Sequence, residues 1–161
     1  VEKMKFQQVQ ALKHKAYAAF VENRQLDVPP VLPYHMDAIT LAFVGDAYYA
    51  LFLRRRLTAL GIPAVQVLHA LAAEFVSAKC QSFVYTCLQS FLTEAEKSLC
   101  RRSRNAYSQV PKSASAAEYH NSTALEALIG YLVLDGQEAR LQAVMQHVLA
   151  AVRAYCQKKH I

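Results

Sequence analysis

Apolar residues recur every three or four positions along most of the chain, and no stretch shows the strict alternation of a half-buried strand. Between about residues 4 and 21, Val9, Leu12, Ala16 and Phe20 keep this spacing, with lysines on the other face, which predicts an amphipathic helix. The segment DVPPVLPYH, residues 27–35, carries three prolines that cannot continue a helix and favour an extended connector. Asp37 suits the N-cap of a second helix that runs through LAFVGDAYYALFLRRR to about residue 60, where Gly61 and Pro63 stop it. From 64 to 92, Val65, Leu68, Leu71, Ala72, Phe75, Val84, Leu88 and Phe91 keep helical period, with a bend near Ser77. Thr93 and Glu96 form a capping-box pattern that starts a short helix. Residues 101–121, rich in Ser, Ala and Arg and without apolar period, read as a loop. Loops longer than about 15 residues inside a compact domain are functional or disordered. Asn121 or Ser122 then caps the helix TALEALIGYLVL, Gly136 closes it, and a last helix spans about 138–156 through Leu141, Val144, Met145, Val148 and Val152. The expected fold is all-α. Residues 1–36 form an N-terminal helix with its Pro-rich connector, and 37–157 form the main helical domain.

A chain of 161 residues, 54% hydrophobic, can bury one good core. Its most apolar run, about residues 41–53, is shorter than the roughly 20 residues that span a bilayer, so no membrane association is expected. The sequence starts at Val1 and shows no apolar core followed by small residues, so the expectation is a cytoplasmic protein without a secretory signal. Cys80, Cys87, Cys100 and Cys156 lack the spacing of a metal site and are expected to be reduced thiols. Net charge +6 and a pI near 9.2 point to a polyanionic partner. The charge is clustered at Lys3, Lys5, Lys13 and Lys15, at Arg54, Arg55 and Arg56, and at Arg101, Arg102, Arg104 and Lys112, a distribution that favours nucleic acid.

Two acids stand out against this background. Asp46 and Glu126 lie in the two most apolar helical segments, and an ionised carboxylate among apolar groups is costly unless it is paired or metal-bound. One reading has each acid at the solvent edge of its helix or against an arginine. The other has the two helices cross, with Asp46 and Glu126 side by side and sharing one or two divalent ions. Magnesium takes oxygen ligands and keeps several waters, so two carboxylates and a substrate phosphate suffice, and the ion activates water for displacement at phosphorus. Gly45, directly before Asp46, costs helix stability, which is understandable if something approaches the backbone closely there.

With these residues in place, FVGDAYYALFLR together with STALEALIGYLVL resembles ribonuclease III domains. Their signature helix carries a Leu-Gly-Asp step, and a later helix carries a glutamate followed by Ala-Leu-Ile-Gly. More closely the chain resembles the Mini-III ribonucleases, which have this catalytic domain without a double-stranded-RNA-binding domain. LHALAAEFVSAKCQSF is similar to that subfamily's Val-Ser-Ala-Lys-x-Gln helix, RRSRNAYSQVPKSASAAEYHNST to its arginine-rich loop, and FLTEAEKSLCRR to the helix before it; together the blocks cover about residues 37–150. The resemblance implies an all-helical homodimer that cuts double-stranded RNA with Mg2+ and leaves 5′-phosphate ends. It also implies ribosomal RNA precursors as substrate, with an accessory ribosomal protein as a further candidate partner. Asp46 falls on the signature aspartate and Glu126 on the later glutamate, both metal-linked in the family. The chain departs from full-length ribonuclease III enzymes at Ile39 and Ala42, where they carry glutamates, and at Thr123, where they carry an aspartate. Mini-III enzymes share such losses. Ser103 and Tyr107 stand where the subfamily has glycine and lysine.

A-form RNA is read by shape, 2′-hydroxyl contacts and phosphate charge. Arg101, Arg102, Arg104 and Lys112 suit the phosphates, Asn105 a groove edge, and Lys79 a further phosphate or a snorkelling surface position. The leading expectation is a Mg2+-dependent endoribonuclease with Asp46 and Glu126 as catalytic and metal-holding residues. A non-catalytic RNA-binding or ribosome-associated module on the same fold is the alternative. A helical protein-interaction domain, its acids in ion pairs, is a third and predicts no affinity for duplex RNA.

Overall fold

A computed structural model of the chain describes residues 3–24, 26, 29–106, 110, 112 and 114–159. The described residues form helices and their connections, without strands, and fall into two units, Val1–Val31 and Leu32–Ile161. The N-terminal unit holds α1 (Phe6–Val21). Its first turn is closed by the Lys5 N–H, which donates to Gln8 Oε1 at 2.8 Å, and beyond its end Asn23 adopts a φ of 48°.

The larger unit opens with a 3-10 turn (Pro33–His35) and continues through α2 (Ala38–Thr58), α3 (Val65–Phe75), α4 (Ala78–Leu88), α5 (Glu94–Arg104), α6 (Ala116–Leu134) and α7 (Glu138–Lys159). Asp37 caps α2 as its residue type predicts, accepting the Thr40 N–H at 3.0 Å. The bend expected near Ser77 is a full break, because Ser77 Oγ accepts the Cys80 N–H and starts α4 as a separate helix. Helix α6 is apolar on most sides from Ala124 to Leu132, and such a helix must be enclosed. Accordingly α2, α4, α5 and α7 all pack around it.

The closest approach is that of α2 to α6. A Cβ on Gly45 would fall 1.7 Å from the Glu126 carbonyl oxygen, and one on Gly130 would fall 1.8 Å from the Leu41 carbonyl oxygen. What comes close to Gly45 is therefore the backbone of α6, met by a reciprocal glycine.

The segment 101–121 corrects the sequence reading. Arg101, Arg102 and Arg104 belong to the last turn of α5, where their charges complement the exposed carbonyls of the helix end. Beneath them Leu99, Cys100 and Ser103 are buried. The next helix starts at Ala116, ahead of the expected cap at Asn121 or Ser122, because Ser115 and Glu118 form a capping box. Ser115 Oγ accepts the Glu118 N–H at 3.1 Å, and Glu118 Oε1 accepts the Ser115 N–H at 3.4 Å. The intervening connection is correspondingly short.

The Thr93–Glu96 capping box is present, and its glutamate does a second job. Glu96 is 4% exposed and takes two hydrogen bonds from Arg140 of α7, at 2.9 and 2.7 Å. Arg140 also donates to the Phe91 carbonyl at 3.0 Å. Burial works against the Glu96 charge, but Arg140 and Thr93 outweigh it and hold the carboxyl below its ordinary range. Stability from this pair is thus present at neutral pH and lost as pH falls through that lowered value. We expect Arg140→Met to cost about 3 kcal/mol in urea denaturation at neutral pH, because it strands a buried charge. The gap from wild type should narrow in acid; a gap that stays constant from neutral to acid would refute the pairing as its cause.

Candidate active site

The glycine crossing decides where the two acids lie. Asp46 follows Gly45 on α2, and Gly45 rests on the backbone of Glu126, so both acids come to the same edge of the α2–α6 seam. They line one open cavity of about 440 Å³ with Ile39, Phe43, Gln81 and Thr123 among its walls. Asp46 is exposed, so the expectation of a buried-looking carboxylate holds only for its partner. Glu126 sits half-buried, and its carboxyl is pushed up to about 7 by burial and then by the nearby charge of Asp46, against a smaller lowering by Gln81.

No lysine or arginine is among the described residues that line this cavity, and among the described residues neither acid makes an ion pair. The reading that arginines neutralise them is thereby corrected: the clustered arginines lie elsewhere, at the ends of α2 and α5. The site carries uncompensated negative charge, the condition a divalent cation relieves. Among the described residues no group of three or more His, Cys, Asp or Glu side chains is placed to hold a metal ion. Two carboxylates with space for water and a phosphate fit Mg2+, which keeps much of its hydration. Thr123 and Ser122 border the site, with their hydroxyls donating to the Tyr119 carbonyl at 3.1 and 2.8 Å.

None of the basic candidates lines the acid cavity; they divide among the adjoining depression, the last turn of α5, the α5–α6 connection and the start of α4. Arg102 donates to the Tyr34 carbonyl at 2.6 Å and lies 5.4 Å from the centre of that ring, so it is an anchored side chain. With Asn105, the C-cap of α5, it lines a second depression whose floor includes Asp37 and Ala38. Ile39, the next residue, belongs to the acid cavity, so the two hollows adjoin across the first turn of α2. Arg101 and Arg104 are exposed and act electrostatically on Tyr85 of α4. Lys112 is exposed on the α5–α6 connection, and Lys79 is exposed in the first turn of α4 beside the cavity-lining Ala78. Tyr107 lies outside the described residues.

Sequence reasoning passed over Gln81. It is 1% exposed and lines the acid cavity, and the signals were its place as the Gln of the Val-Ser-Ala-Lys-x-Gln block and a polar residue at a buried phase of α4, next to Cys80 and a turn before Val84.

Comparison with known proteins points to one family. The family model for the Ribonuclease III domain matches residues 39–137, a span that contains both acids and Gln81. The chain is 45% identical over 115 residues to a Mini-ribonuclease 3 of Symbiobacterium thermophilum, covering 71% of this chain and 88% of that protein. It is 41% identical over 117 residues to a Mini-ribonuclease 3 of Brevibacillus brevis, covering 72% and 87%. A crystal structure of a Fusobacterium nucleatum protein superposes with a TM-score of 0.66 at 30% identity, covering 72% of this chain and 93% of that one.

Proposed function

The chain belongs to the ribonuclease III family and is an endoribonuclease, and on that premise we propose that it cleaves double-stranded RNA with Mg2+ at the Asp46–Glu126 cavity. The observation that carries the proposal is a pair of carboxylates in one cavity with no lysine or arginine among the described lining residues. Asp46, exposed, faces the incoming phosphodiester, while Glu126 supplies the second carboxylate from the half-buried wall. Asp46 and Glu126 would hold the divalent cation, which would supply positive charge at the scissile phosphate and make water nucleophilic near neutral pH. The cut breaks the P–O3′ bond, leaving a 5′-phosphate and a 3′-hydroxyl.

Arg102 and Asn105 in the adjoining depression, with Arg101, Arg104, Lys112 and Lys79, provide the charge that holds backbone phosphates. Regular phosphate spacing and shape, not base identity, are what such a surface reads. Resemblance to Mini-III enzymes supports ribosomal RNA precursors as the substrate. No helix among the described residues is long and apolar enough to cross a membrane, and the four cysteines are free, which suits work in the cytoplasm.

The working unit in this proposal is a homodimer. Ile39, Phe43 and Leu51 stand four and then eight residues apart on one side of α2, 38%, 79% and 57% exposed. A second copy covering this stripe would bring two cavities to the two strands of one duplex. A monomeric mass at micromolar concentration would remove this part of the proposal.

The experiment is cleavage of a long RNA duplex with Mg2+ and with EDTA, alongside binding measured over a range of salt. The expected result is Mg2+-dependent cutting, with affinity that falls steeply with salt as counterions are released. Salt-sensitive binding without cutting would leave the non-catalytic module; no binding at low salt would leave the protein-interaction domain.

A further inference from the structure

We infer that Gln81 is a positioning residue of the acid cavity, its amide orienting the Glu126 carboxylate for cation binding. The inference rests on the reading of that cavity as a divalent-cation site and names the residue that organises it.

Gln81 is 1% exposed, and its Nε2 has no partner at hydrogen-bonding distance. A buried amide in that condition costs about 1–3 kcal/mol, so packing alone gives no reason for it. Its backbone place is firmly set. Ser77 caps α4, the Gln81 N–H closes the first turn onto the Ser77 carbonyl at 2.9 Å, and Cys80 and Val84 are buried on the same helix. Helix α4 packs directly on α6, which puts the amide into the cavity that Glu126 also lines.

A neutral amide is the suitable group for this task. Lysine or arginine at the same place would neutralise Glu126 and compete with the cation. A third acid would add to the repulsion that already burdens the pair. An amide N–H directs one carboxylate oxygen while the remaining lone pairs stay available. Groups that orient a metal ligand from behind typically contribute about 10–100-fold in metal affinity.

The test uses the full chain with Gln81→Leu and Gln81→Met, each titrated with Mg2+ in thermal melts and, separately, in duplex RNA cleavage. In EDTA both variants are expected to melt at or above wild type, because the unpartnered amide is gone. The Mg2+ concentration at half-maximal thermal shift is expected to rise about tenfold or more. At saturating Mg2+ most of the cleavage rate returns, since Gln81 touches no reacting atom. A folded variant with the wild-type Mg2+ midpoint overturns the inference, and so does failure of both variants to fold, which would make Gln81 a packing residue. Wild type that shows no Mg2+-dependent shift would instead overturn the cation site itself, and the inference with it.

Discussion

Asp46→Asn and Glu126→Gln are each expected to slow duplex RNA cleavage by roughly 10³-fold or more, about 4 kcal/mol of barrier, while leaving the protein folded. For Glu126→Gln the second half of the result is a gain in stability without metal. The Glu126 carboxyl is pushed from its ordinary 4.5 up to about 7, by burial first and Asp46 second. The unfolded chain therefore gives up this proton at a lower pH than the folded one. Stability is undiminished below the unfolded value, falls as pH rises toward about 7, and stays reduced above it. This runs opposite to Glu96, whose lowered carboxyl weakens the protein only in acid. Integrated over the interval, the Glu126 penalty is at most about 3 kcal/mol. A glutamine carries no such penalty, so in EDTA near pH 8 the variant should melt above wild type. Added Mg2+ should raise the melting temperature of wild type and leave that of Glu126→Gln almost unchanged, since it binds only where the charge is. A variant that cuts at the wild-type rate would refute the catalytic assignment. One that melts lower than wild type in EDTA would show that the Glu126 charge is satisfied by something other than a cation.

An acid in an apolar helix is also what drew attention to Asp46 and Glu126 in the sequence, although only Glu126 is withdrawn from solvent. Two carboxylates in apolar helices break the pattern that the rest of each helix obeys, and a locally unfavourable residue is a signal of use. The same logic made Gly45 legible as a place of close approach, although the approaching group was identifiable only once Gly130 and the Leu41 carbonyl were seen opposite. Helix starts were legible where capping chemistry is local, as at Asp37 and Thr93, whereas Ser77 read only as a bend because the apolar period runs on across it. The same chemistry at Ser115 and Glu118 was hidden by the polar composition around it. The end of α5 was missed for a related reason: only Leu99, Cys100 and Ser103 in its later half face the core, too few to show a period. Pairings across the fold were not legible at all. Nothing local ties Glu96 to Arg140, 44 residues away, or Arg102 to Tyr34, and the burial of Gln81 depends on α4 and α6 meeting.

Gly45→Ala and Gly130→Ala are expected to destabilise the protein by about 4 kcal/mol or more each, the largest loss available from adding a single methyl group. Helix propensity argues the other way, since alanine inside a helix is favoured over glycine by about 1 kcal/mol. Sterics decide the sign. The new Cβ at position 45 would lie 1.7 Å from the Glu126 carbonyl oxygen and 2.9 Å from the Gly130 nitrogen, and neither backbone atom can rotate out of the way. The α2–α6 seam would have to open by more than an ångström, and it is the most extensive helix pair in the fold. Packed interiors lose contacts steeply over such gaps. Gly61 and Gly136 supply the contrast: each has open space where a Cβ would stand and a φ of +68° or +69°, so alanine there costs only about 1–2 kcal/mol of left-handed strain. Urea denaturation of the four alanine variants would separate the two mechanisms. If Gly45→Ala stays within about 1 kcal/mol of wild type, the seam is more compliant than its geometry implies. Function sharpens the test, because Asp46 and Glu126 are held together by this same seam. A Gly45→Ala protein that remains folded at low temperature should have lost the Mg2+-dependent thermal shift, since moving the helices apart separates the two carboxylates before it unfolds the chain.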